Sequence, residues 1–113
     1  MAQYTSATFT GNSGNDYQTI VFPFNIKFKA GIGGVYIVTK RSESDDGKIT
    51  HEPFYLGSAP DLVENFKYHP MQYQFKKYEV NSICVIRESD EGKRKEIFSD
   101  LVEKYRPLLN EYF

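Results

Sequence analysis

Three short apolar stretches, each bounded by polar or turn-forming residues, constrain this chain more than any other feature. Gly34 to Thr39 is mostly apolar and β-branched, Pro53 to Gly57 is a shorter run, and Asn81 to Arg87 is again rich in β-branched residues. Stretches of this length and composition predict strands. None approaches the length needed to cross a bilayer. The polar start of the sequence does not read as a signal peptide, so the expected compartment is the cytoplasm.

The segments around these strands have their own signals. Thr8-Phe9-Thr10 and Gln18-Thr19-Ile20-Val21-Phe22 flank the dense turn signal Gly11 to Asp16, which predicts a hairpin over Thr5 to Phe24. Phe22, Phe24, Ile26 and Phe28 alternate with Pro23, Asn25 and Lys27, the pattern of a half-buried extended segment. Arg41 to His51 is polar and reads as a mobile loop. A helix is predicted from Pro60-Asp61, with Ser58 as its cap, and Pro70 marks its end. Met71 to Tyr78 predicts a short helix, Glu88 to Gly92 a turn, and Lys93 to Tyr105 a helix with Ile97, Leu101 and Tyr105 on one stripe.

Composition sets the outer bounds. At 113 residues, 40% hydrophobic and 16% aromatic, the chain makes one small domain over 1–113, with 1–30 as an N-terminal extension and 31–113 as the core. Nine Tyr and nine Phe without Trp suggest an aromatic-rich core with several tyrosines reaching the surface. The single Cys84 lies in an apolar run and reads as a buried, inert thiol. Fifteen acidic residues against fourteen basic ones give no global support for gripping nucleic acid through its phosphates.

Gly34-Val35-Tyr36 and Tyr55-Leu56-Gly57 are paired tripeptides in adjacent predicted strands. Together they resemble the signature of the GIY-YIG nuclease superfamily. Further matches are the segment Gly57-Ser58-Ala59-Pro60-Asp61-Leu62, His69, and the ending Asp100-Leu101-Val102 to Tyr105-Arg106-Pro107-Leu108-Leu109-Asn110. The resemblance covers Gly34 to Asn110 and implies an α+β fold: a small three-stranded antiparallel sheet flanked by helices, here preceded by an N-terminal hairpin. It also implies metal-dependent hydrolysis of a phosphodiester. Two tyrosines hold or activate water, an arginine stabilises charge on the phosphate, and a glutamate binds Mg²⁺ or Mn²⁺. A hard divalent cation calls for carboxylate oxygen, and a developing phosphate charge calls for a fork of N–H donors.

Carried over residue by residue, Tyr36, Tyr55, His69 and Asn110 match the family's catalytic positions. The arginine is expected eight residues after Gly57, where this chain has Asn65. The glutamate is expected twelve residues before Asn110, where this chain has Phe98. Glu96 and Asp100, two positions either side of Phe98 on a helix, are expected to face away from the site. Lys lacks the bidentate geometry of Arg, so Lys67 or Lys76 would be a poor replacement.

Several residues carry two readings at this point. Tyr36 and Tyr55 are either aromatics packing across the sheet or residual ligand contacts. His69 reads as a residue at a helix C-terminus, and Asn110 as a structural hydrogen-bond partner. Lys76, Lys77, Lys93 and Arg94 are solvated helix residues or a weak nucleic-acid patch. The expected function is a catalytically inactive GIY-YIG-like domain that binds a protein or DNA, with no cofactor and no membrane. The regulatory setting could be phage- or defence-related, and a homodimer through the hairpin is a further option. The alternative is an active endonuclease using Mg²⁺ or Mn²⁺.

Overall fold

The structure is a computed structural model that describes residues 5–67 and 69–112. Residues 1–4 of the expected extension and the terminal Phe113 lie outside the described residues. The strands are β1 (Thr5–Thr10), β2 (Asp16–Pro23), β3 (Gly34–Glu43), β4 (Ile49–Ala59) and β5 (Ser82–Arg87). The helices are α1 (Leu62–Lys67), α2 (Gln72–Lys77) and α3 (Glu91–Tyr105), followed by a 3₁₀ turn over Leu108–Tyr112. Among the described residues no helix is long and apolar enough to cross a membrane.

The fold is α+β as expected, but the expected three-stranded sheet is wrong. All five strands join one curled antiparallel sheet in the order β1-β2-β5-β3-β4. The N-terminal hairpin is therefore part of the sheet. Ile20 to Pro23 pair with Val85 to Ser82, and Tyr36 pairs with Val85 on the other side of β5. The physical reason is that β2 turns Thr19 and Val21 into the core on one face, while its edge away from β1 pairs with β5.

The sheet separates two cores. On one face Tyr36, Val38, Tyr55, Ile83 and Val85 pack under α1 and α2, through Leu62 and Phe75. On the other, Val35, Ile37, Leu56 and Cys84 pack with Phe9 and Val21 under Leu101 of α3. This is the period-two alternation of strands buried on both sides. Cys84 is fully buried, and burial pushes its thiol up to about 11.

Some predicted boundaries shift for identifiable reasons. The predicted loop Arg41 to His51 is mostly strand: β3 runs to Glu43 and β4 starts at Ile49, joined by a tight turn with Ser44 N–H on the Lys48 carbonyl at 2.9 Å. Arg41 and His51 are cross-strand partners in a solvated two-stranded ribbon, which tolerates polar residues because little of it needs burying. β4 carries a bulge, since Tyr55 opposes Val38 while Pro53 opposes Thr39, leaving Phe54 unpaired.

Ser58 does not cap α1. It still belongs to β4, where it opposes Val35, and Asp61 takes the capping role by accepting from Val63 N–H at 3.1 Å. The extended pattern from Phe22 to Phe28 breaks at a turn after Pro23, closed by Ile26 N–H on the Pro23 carbonyl. These aromatic residues nevertheless pack against the first core; Phe24 meets Phe75 edge-on at 5.6 Å. α3 begins at Glu91, with Asp90 accepting from Lys93 N–H at 2.8 Å, and ends at Arg106 in the left-handed region before Pro107.

Candidate functional site

The two tripeptides lie side by side on β3 and β4, with Tyr36 directly opposite Gly57. The reason for the glycine is steric. A Cβ at Gly57 would run into the Tyr36 ring and hydroxyl, so the tyrosine can lie flat across β4 only because Gly57 has no side chain. Gly34 is required in a similar way by the Ile86 carbonyl of β5.

Tyr36 is 1% exposed, and its hydroxyl ends in a closed hydrogen-bond chain. His69 Nδ1 accepts from Met71 N–H at 3.0 Å, which puts the ring proton of the neutral imidazole on Nε2. Nε2 lies 2.8 Å from Tyr36 Oη, so Tyr36 accepts there. The phenol then gives its own proton to Asn65 Oδ1 at 2.6 Å. Every step has one donor and one acceptor.

Rings enclose this chain. Phe66 lies 4.7 Å from the Tyr36 ring, and Tyr55 meets His69 edge-on at 5.1 Å. Phe66 and Phe75 flank His69 at 5.5 and 5.0 Å. Burial holds the His69 imidazolium down to about 4, so the ring is neutral near pH 7. Burial, and then the adjacent Tyr55, raise the Tyr36 phenol well above its ordinary value; burial also raises Tyr55.

Phe98 reaches β4 from the other side of the sheet. With Val102, one turn further along α3, it lines a groove of about 520 Å³ beside Tyr55, Gly57, Ser58 and Asn110. Asn110 is fully engaged there: its Oδ1 accepts from Leu56 N–H and its Nδ2 donates to the Leu56 carbonyl, both at 2.8 Å. The carboxamide thus imitates a neighbouring strand along the outer edge of β4.

The residues present do not fit the divalent ion that the resemblance implies. Phe98 offers no oxygen, and no described residue lining the groove around it carries a carboxylate. Among the described residues no group of three or more His, Cys, Asp or Glu is gathered as a metal site. Asp100 points elsewhere, to the tip of the N-terminal hairpin. It accepts from Ser13 N–H, Ser13 Oγ and Tyr17 Oη, each at 2.7 Å.

The structure therefore brings Tyr36, Tyr55, Asn65 and His69 together, with Asn110 and Phe98 at the neighbouring β4 edge. It does not bring the four basic residues together. Lys76 and Lys77 are exposed on α2, over one face of the sheet, and Lys93 is exposed on α3, over the other. Arg94 is not a solvated residue at all. It is 6% exposed, and its guanidinium donates to the carbonyls of Glu88 and Ser89 at 3.1 and 2.8 Å, which ties the β5–α3 turn together.

The four-residue spacing of Leu62 and Phe66 puts both on one helix face, but it does not place the Phe66 ring over Tyr36, and sequence reasoning missed the Asp100 latch. Nothing local marks Ser13 as the partner of Asp100. No protein-family model, curated protein or solved structure matches the chain.

Proposed function

We propose that this domain is a GIY-YIG-like module that acts by binding a partner, in the first place a protein, and does not cleave nucleic acid. The observation that carries this reading is the Tyr36 hydroxyl. A tyrosine that holds or deprotonates water needs an accessible oxygen with a free hydrogen-bonding direction. Here the oxygen is buried and both directions are used, by His69 and Asn65. Asn65 supports the reading further, because the residue at the arginine position serves as an internal acceptor. The balance of fifteen acids and fourteen bases, and the separation of Lys76 and Lys77 from Lys93, favour a protein over a phosphate backbone.

The test is incubation of the pure protein with plasmid and with single-stranded DNA, in Mg²⁺ and in Mn²⁺, beside Tyr55→Phe. The expected result is no cleavage by either protein. Cleavage by the parent that disappears in the variant would overturn the reading. A gel shift at low and moderate salt checks the choice of partner; salt-sensitive retardation would move the proposal from protein to nucleic acid.

A further inference from the structure

The two edges of the sheet are treated differently. The β4 edge carries Pro53, the Phe54 bulge and the Asn110 carboxamide on Leu56, all of which block a further strand. β1, at the opposite edge, has no such protection among the described residues. Thr5-Ser6-Ala7-Thr8-Phe9-Thr10 contains no charge and no proline, and its pairing with β2 is unbroken by a bulge.

The backbone of β1 is also oriented for pairing. Gly11 N–H bonds the Asn15 carbonyl at 2.8 Å, which makes Gly11 face β2's side of the hairpin. Alternation in an antiparallel ladder then turns Phe9 and Ala7 inward, and Thr10, Thr8 and Ser6 outward. Thr10 N–H, the outermost of these, is taken by Tyr105 Oη at 3.1 Å. Ser6 and Thr8 present the next two sets of outward groups.

A groove flanks this edge on each face. One, of about 380 Å³, lies between β1 and Ile49–His51 and is floored by Phe9 and Tyr105. The other, of about 540 Å³, lies over Ile20 and Phe22. Ile20, 45% exposed, lies in the second, and Ile49, 42% exposed, lines the first. Among the described residues, neither groove is lined by Lys, Arg, Asp or Glu.

We propose that β1 is the docking edge for an extended, uncharged peptide segment of a partner protein, added as one more strand of the sheet. The proposal rests on the binding function argued above and names its site. Only a strand places alternate side chains on opposite faces, so only a strand fills both grooves while its main chain pairs with Ser6 and Thr8. The uncharged linings select an uncharged segment, because a buried charge there would have no partner.

The test is panning of a random phage-displayed peptide library against the folded protein, followed by amide NMR with the enriched peptides. Enrichment of uncharged peptides with alternating β-branched or aromatic residues is expected, with slowed exchange at Ser6 and Thr8. Thr8→Pro removes an outward N–H without removing a hydrogen bond to β2, and should weaken binding by roughly tenfold or more. Thr8→Lys, which leaves the backbone intact, should weaken binding while the melting temperature stays unchanged. N-methylation of the peptide should abolish binding at one set of alternate residues and spare the other. No enrichment, selection of charged peptides, unchanged binding by both Thr8 variants, or amide shifts confined to the Tyr55–Phe98 groove would overturn the proposal. A map to that groove would leave the binding function standing. DNA cleavage would overturn the binding function and say nothing against β1.

Discussion

Asn65 Oδ1 accepts the Tyr36 hydroxyl proton at 2.6 Å, at the position where the resembled family would carry a phosphate-binding arginine. In this chain the side chain at that position is an acceptor facing the protein's own core. An arginine is all donors and could not accept the phenol proton, whereas an asparagine oxygen can.

Tyr36→Phe tests that relationship. The ring remains, so packing over Gly57 is kept, but Asn65 Oδ1 loses its donor and His69 Nε2–H loses its acceptor. Destabilisation of about 1–3 kcal/mol is expected, more than a net hydrogen bond is worth, because buried partners are left unsatisfied. Urea denaturation midpoints measure it. A double-mutant cycle with Asn65→Ala should show coupling of about 0.5–3 kcal/mol. Strict additivity would mean that the two groups do not interact in solution.

Acid should loosen the fold through His69 before it titrates ordinary carboxylates. Folding lowers the imidazole from its usual 6.5 to about 4, by burial, so the unfolded chain binds the extra proton first as pH falls. Stability from this group is complete above about pH 6.5 and declines as pH drops toward 4. His51, lowered by burial and then by Arg41, adds loss of the same sign. The total from His69 is at most about 3 kcal/mol. Denaturant midpoints between pH 7 and 4 should fall for the parent and fall less steeply for His69→Gln.

Gly57→Ala should be among the costly single-methyl additions to this protein. The new Cβ meets the ring and hydroxyl of Tyr36, which cannot swing away without leaving Asn65 and His69. A loss of about 1–3 kcal/mol follows from overpacking of this kind. The distinguishing measurement is rescue: Tyr36→Leu should cost less in the Gly57→Ala background than in the parent. Equal costs in both backgrounds would mean the clash is relieved by backbone movement.

The outline of this fold was legible where the signal is local. Gly11 to Asp16 announces the first hairpin, the apolar runs at Gly34 and Asn81 announce β3 and β5, and the stripe of Ile97, Leu101 and Tyr105 announces α3. What could not be read depends on partners far away in sequence. Ile20 pairs with Val85, and nothing in either segment reports the other, so the hairpin's place in the sheet was missed. Arg94 looked solvated because it sits between two lysines, yet its helical phase points it at the carbonyls of Glu88 and Ser89. At the candidate site the residue identities at Asn65 and Phe98 were plain from spacing. The inward turn of the Tyr36 hydroxyl was not, because it is made by His69 across a sequence gap and by the rings packed around it.

Asp100 fixes the tip of the N-terminal hairpin to α3. Ser13 and Tyr17 donate to its carboxylate, and these bonds hold it below the ordinary carboxylate range. In Asp100→Asn the charge is lost, and the ligand oxygens fall from two to one. Faster amide exchange at Ser13 is expected, with exchange at Leu56 unchanged. Uniform acceleration across the domain would show that the latch supports the whole fold and not the hairpin tip alone.

Asn110 closes the β4 edge with two hydrogen bonds to one residue, and the geometry makes a sharp demand on chemistry. Leu56 offers a donor and an acceptor side by side, so its partner must carry the reverse pair on a planar group. A carboxamide does so, and a carboxylate cannot, since it has no proton to give to the Leu56 carbonyl. Asn110→Ala should destabilise the domain by about 1–3 kcal/mol, because both Leu56 groups lose their partner at a half-buried position. Asn110→Asp should be at least as damaging at neutral pH despite its near-identical shape, since it turns a satisfied carbonyl into one facing a negative charge. Its deficit should shrink as the solution is taken down into the ordinary aspartate range, where the carboxyl begins to carry a proton and can donate again. Thermal or denaturant unfolding of the three proteins at pH 7 and near pH 4 distinguishes the cases. Should Asn110→Asp match the parent at pH 7, the edge clamp would not be made through the carboxamide.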